Sequence, residues 1–191
     1  MRQEKGMQTT IIAVMAIAIL VMSVGFAAFS QNLNINGNAT FSQAKWSVHF
    51  DTASYTETSN STVHANPAPT PTATDLSYTV TLAKPGDVYE FTVDVINEGT
   101  MDAALNSITI TSTPSTLPVY VGHVVNYAGT DYTATNSSIS GVTLTKQTGN
   151  TPGRQTVKVT VTYKEPSDPN DLPQNADQTV TFNVGLGYSS L

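Results

Sequence analysis

Hydrophobic residues alternate with polar ones over much of the chain. In 45–50, Trp46, Val48 and Phe50 share one face, and Ser47 and His49 the other. In 88–96, Tyr89, Phe91, Val93 and Val95 oppose Glu90, Thr92 and Asp94. Val157, Val159, Val161 and Tyr163 repeat the pattern, as do Val180, Phe182, Val184 and Leu186. A period of two buries one face of a strand and wets the other. Further strands are expected at Tyr78–Leu82 and Ile108–Ile110, with weaker ones at Val119–Val125 and Val142–Leu144. Turn residues fall between them. In Lys84-Pro85-Gly86-Asp87, proline presets φ and glycine supplies the positive φ that follows. Asn97-Glu98-Gly99 closes the next strand, and the three prolines of 166–173 keep that stretch out of a sheet. The expected fold is all-β: one antiparallel β-sandwich over 29–191, with a mobile Pro/Thr-rich loop at 54–74.

The first 28 residues follow another pattern. Arg2 and Lys5 precede an apolar run from Ile11 to Val24 broken only by Ser23, and Gly25, Ala27 and Ala28 lie near its end. A basic start, an apolar stretch and small residues describe an export signal, with cleavage expected near Ala27 or Ala28. Ile11–Ala28 also fits the roughly 17–25 residues that span a bilayer, so 1–28 reads as a signal peptide or a retained membrane anchor. A prepilin-type cut at Lys5-Gly6-Met7 is a third reading, although Ile11 stands where such pilins carry glutamate. Each of the three places the sandwich outside the cytoplasm, in the extracellular space or on a bacterial cell surface.

Composition narrows the chemistry. Only 12% of residues are charged, while 30 are threonine and 17 serine, a balance suited to strands. The net charge of −6 argues against a grip on nucleic-acid phosphates. The chain has no cysteine, which excludes disulfides, thiol nucleophiles and iron–sulfur clusters. No cofactor motif occurs. His49, His64 and His123 are scattered, and a zinc site would need them to converge with a carboxylate such as Glu57. Glu90 and Asp94 read as a solvated strand face, and Asp168, Asn170 and Asp171 as a turn. Trp46 reads as a core plug, and Tyr120, Tyr127 and Tyr132 as a wet patch that a ligand could meet. These residues define no catalytic or metal site, and the chain is not expected to be an enzyme.

Two stretches resemble the TasA/camelysin family of exported matrix and surface proteins. One is Phe26-Ala27-Ala28-Phe29-Ser30 leading to Asn38-Ala39-Thr40-Phe41. The other is Leu82-Ala83-Lys84-Pro85-Gly86-Asp87 followed by Phe91–Thr100 with its Asn97-Glu98-Gly99. The resemblance covers about a third of the chain. It implies a jelly-roll-like fold, a dedicated signal peptidase and homo-oligomeric fibres of the cell surface or biofilm matrix. In such fibres the freed N-terminal strand of one subunit completes the sheet of the next. By position that donor is Phe29 to Phe41, with Phe29, Leu33, Ile35, Ala39 and Phe41 as candidate inserting side chains; the alternative is that this strand pairs within its own domain. The resemblance also offers a camelysin-like surface metallopeptidase as a second activity, and the apolar N-terminus a membrane-anchored adhesin as a third reading. The chain is shorter than the matrix protein and lacks its long charged tail.

Overall fold

The computed structural model describes residues 3–29, 43–59, 68–171 and 178–191. It divides into two units, 1–42 and 43–191. The described part of the first is the helix α1 (Gln3–Phe29). Ile11, Ile12, Val14, Met15, Ile17, Ile19 and Leu20 are all more than half exposed, and at 100° per residue they leave no polar side. Among the described residues, no helix is long and apolar enough to cross a membrane. The Ile11–Ala28 stretch offered as a span runs past Leu20, the last α1 side chain described.

The second unit is all-β. Its strands are β1 (Val48–Glu57), β2 (Thr70–Pro71), β3 (Asp75–Leu82), β4 (Val88–Asn97), β5 (Ala103–Thr113), β6 (Val121–Tyr127), β7 (Thr130–Tyr132), β8 (Thr143–Leu144), β9 (Gly153–Tyr163) and β10 (Gln178–Ser190). They form two antiparallel sheets in the orders β1-β4-β9-β6-β7 and β2-β3-β10-β5-β8. The chain changes sheet at β1→β2, β3→β4, β4→β5, β5→β6, β7→β8, β8→β9 and β9→β10, and β4 pairs with β9 in one layer while β5 pairs with β10 in the other.

Alternation places one core between the layers. Tyr89, Phe91, Val93 and Val95 of β4 and Val157, Val159 and Val161 of β9 face Tyr78, Val80, Phe182 and Val184 of the other sheet, all at most 3% exposed. Rings bridge the layers, with Tyr78 edge-on to Phe91 at 5.1 Å between centroids. Full burial of each such side chain contributes about 1.5–3 kcal/mol, which is why the period-two pattern dominates the fold.

The weak strands form a little later than expected, at Val121–Tyr127 and Thr143–Leu144. Of the 54–74 loop, Ser54–Glu57 complete β1 and Thr70–Pro71 form β2, while 60–67 lie outside the described residues. Trp46 is not a core plug. It is 44% exposed, because β1 begins only at Val48 and Lys45–Ser47 instead bond the 98–100 corner.

Turns fix two of these crossings, β3→β4 and β4→β5. At Lys84–Asp87, Gly86 has φ +93°, and the buried Asp87 carboxylate accepts from the N–H groups of Ala83 (3.0 Å) and Lys84 (3.1 Å). Gly86 N–H and Asp87 C=O then bond Tyr163, tying the turn to the end of β9. At the β4→β5 corner the fully buried Asn97 donates to Met101 C=O (2.9 Å) and more weakly to Leu144 C=O (3.4 Å), and accepts from Gly99 N–H (2.9 Å). A Cβ on Gly99 would lie 2.5 Å from the Lys45 carbonyl oxygen, so the chain passes here only as glycine.

Replacing Asn97 with alanine is therefore expected to cost about 1–3 kcal/mol, since it strands buried backbone groups at the corner. Urea denaturation should show a lower midpoint at unchanged slope.

Candidate functional site

The sandwich has two open sides. On one, a cleft of about 440 Å³ lies between β1 and β2, bounded by Tyr55, Thr70, Pro71, Leu76 and Val93. On the other, a cleft of about 530 Å³ lies between β5 and the β6–β7 hairpin, bounded by Ile110, Ser112, Leu117, His123, Thr133 and Phe182. Its lower wall carries the most unusual polar group of the molecule. His123 follows Val121 and precedes Val125 on the inward face of β6, and is 5% exposed. Its ring stacks on Phe182 at 4.1 Å and 11°, and its Nε2 contacts the hydroxyl of Tyr78 across the layers.

The tautomer follows from the partners. If Tyr78 donates to Nε2, the phenol proton is used and only Nδ1–H is left over. The reverse arrangement strands both the phenol proton and the Nδ1 lone pair, so the first is favoured. Nδ1 is buried without a partner among the described residues. Burial also pushes the His123 pKa down to about 4 and that of Tyr78 well up, so both stay neutral at neutral pH.

The edges beside this cleft differ. β5 outruns β8, which covers only Ala103 and Ala104, but its remaining edge is partly capped. Ile108 exchanges bonds with Asn136, and Ile110 N–H donates to Thr135 Oγ1, whose hydroxyl returns a bond to Ile110 C=O. β6 spans Val121–Tyr127, yet β7 pairs only with Val125–Tyr127. No strand of the described residues lies along the outer side of Val121–Val124.

The outer face of β1, β4 and β9 carries ions. Asp51 and Asp94 are directly opposed across the β1–β4 ladder, and Arg154 Nη1 lies 3.0 Å from one and 2.6 Å from the other. Lys158 Nζ is 2.9 Å from Glu90. That contact, with hydroxyl bonds from Thr58 and Thr160, holds the Glu90 carboxyl below its ordinary range. Glu90 and Asp94 are thus members of an ion-paired, partly exposed face.

Of the predicted site residues, Leu33, Ile35, Ala39 and Phe41 lie outside the described residues. Phe29, expected to begin the donor strand, is the last residue of α1, and Gly25, Ala27 and Ala28 lie in the same helix. Every described core residue falls between Val48 and Leu186. His49 sits half-buried on β1, and His64 is outside the described residues. Among the described residues, no group of three or more His, Asp or Glu gathers where it could hold a metal. Asp168 Oδ1 accepts from the backbone and side chain of Asn170, a turn as read. Tyr120, Tyr127 and Tyr132 do not form a wet patch; all three are buried, Tyr127 and Tyr132 because β6 and β7 present them inward, and Tyr120, in the turn before β6, because it packs on Tyr163. A comparison with known protein families, curated proteins and solved structures finds no match.

The buried histidine sets a pH dependence. With the folded pKa at about 4 and the unfolded one near 6.5, the unfolded chain binds more protons between these values. His123 therefore leaves stability intact above pH 6.5 and removes about 3 kcal/mol as the pH falls to 4. Denaturation at a series of pH values should show this slope, and His123→Phe should flatten it whatever that substitution does to stability at neutral pH.

Proposed function

We propose that this chain is an exported structural subunit of cell-surface or biofilm-matrix fibres, and that the segment from Phe29 to Phe41 adds as a strand to a neighbouring copy. The observation that carries the reading is that long strands outrun short outer neighbours: β6 has seven residues and β7 pairs with three of them. The Val121 N–H of this edge already bonds Pro118 C=O, and the backbone groups beyond it are ones that a second chain can satisfy by lying beside the strand. The donor has the matching pattern, since Leu33 and Ile35, then Ala39 and Phe41, recur at the two-residue spacing that places side chains on one face. Each apolar side chain so buried contributes about 1.5–3 kcal/mol, enough for several together to offset the ordering of a dozen residues when ladder bonds form as well.

The two-layer arrangement is compatible with the jelly-roll-like fold of the TasA/camelysin resemblance. In this reading the partners are a signal peptidase, the membrane before cleavage, and further copies of the chain. The all-round apolar character of α1 favours a second reading as well, a surface protein that keeps its N-terminal helix as an anchor. Mass spectrometry of the N-terminus from cells separates the two. A start near Ala28 or Phe29 supports release, and an intact Met1 supports anchoring.

Electron microscopy of the mature protein tests the fibre reading. Wild-type protein is expected to form filaments and a variant lacking 29–41 to remain monomeric. Filaments from the deletion variant would remove strand donation from the account.

A further inference from the structure

The outer faces of the two sheets differ in charge. That of β1, β4 and β9 carries Asp51, Glu90, Asp94, Arg154 and Lys158 in ion pairs. That of β3, β10 and β5 is uncharged across its middle. Its register sets Thr79, Thr181 and Thr113 in one row, and Ser77, Asn183 and Thr111 in the next. The hydroxyls of Thr79 and Thr181 are 3.0 Å apart, and those of Thr81 and Thr179 3.1 Å. The nearest carboxylate on these strands, Asp75, lies at the end of β3, over Gly185. These side chains are all short, so none stands far above the sheet.

We propose that this hydroxyl face is where copies of the chain associate side by side, sheet against sheet, once they are assembled. The occupant follows from charge and area. The chain carries a net −6, and −7 once residues 1–28 with Arg2, Glu4 and Lys5 are removed, so two copies repel over most of their surfaces and least where neither presents an ion. Threonine hydroxyls both donate and accept, so identical faces are self-complementary, as an isologous contact requires. Three strands about 4.8 Å apart and eight residues long cover about 370 Å² per copy, about 750 Å² for a pair. That is well short of the roughly 1,200 Å² of a stable interface, and no large apolar side chain anchors it. One pair of faces therefore does not persist alone. A filament repeats the face along its length, and the repeats act together at high effective concentration. Lateral bundling is accordingly a property of the polymer and rests on the fibre reading above.

The test is negative-stain microscopy and low-speed sedimentation of filaments from wild type, Thr111→Glu and Thr111→Lys. Thr111 is exposed, so each substitution leaves the core untouched. Wild-type filaments are expected to bundle and pellet. Each charged variant is expected to give single filaments of unchanged subunit repeat, and mixing the Glu and Lys filaments to restore bundles. The proposal is overturned if wild-type filaments stay single or if the variants bundle as wild type does. It is equally overturned if the variants keep bundling but lose capture by an insoluble neutral polysaccharide, since the face would then belong to that polymer. Absence of filaments from wild type removes the fibre reading and this one with it, whereas filaments that do not bundle remove only this one.

Discussion

The sandwich depends on how its two layers meet, and the contact that defines the meeting is the ring stack of Tyr78, Phe182 and His123. The three rings form a triangle, with Phe182 5.5 Å from Tyr78 and 4.1 Å from His123, and Tyr78 and His123 6.0 Å apart. Two of these residues come from one sheet and the third from the other, so the stack fixes the separation of the layers as well as their relative register. The hydroxyl contact between Tyr78 and His123 Nε2 adds direction to what is otherwise undirected apolar packing. It also leaves one nitrogen without a partner, at a cost of about 1–3 kcal/mol. The fold tolerates this because the same ring fills the space between β6 and β10.

Strands buried on one face were legible because alternation is a direct imprint of a two-layer core. β4, β9 and β10 follow it almost without exception, and β4 runs one residue further, to Asn97. The turn at 84–87 was equally readable, since proline and glycine each require a particular φ there. Other features needed the third dimension. Trp46 continues the alternation of Val48 and Phe50, but the period says nothing of where a strand starts. His123 shares a face with Val121, Val125 and Tyr127, and that periodicity was the available signal for its burial. A histidine in a strand flanked by glycine nonetheless resembles a surface residue when considered singly. The three tyrosines failed for the same reason: a phenol suits water and core alike, and only pairing decides which. The short strands β2, β7 and β8 are too brief to leave a period, although they determine which edges are covered.

Polar chemistry is divided between the surfaces in a way composition alone conceals. A chain with few ions and many hydroxyls could spread both evenly. Here the ions gather on one sheet, where Arg154 bridges two opposed aspartates, while the other sheet carries threonine rows. Edges are treated unevenly too. Thr135 and Asn136 imitate a strand beside β5, whereas β6 keeps an open end. The proposed assembly assigns growth along an edge and cohesion between faces to different parts of one small domain.

The order of the strands along the chain has a kinetic consequence. β9 and β10 are the last to be made, yet each lies in the middle of its sheet, with β4 and β6 waiting for one and β3 and β5 for the other. A chain that emerges amino end first, from a ribosome or a translocation pore, can pair β1 with β4 and β2 with β3 early but cannot complete either layer until residues 153–190 are free. Truncation of even the final strand would leave β3 and β5 without the neighbour that joins them.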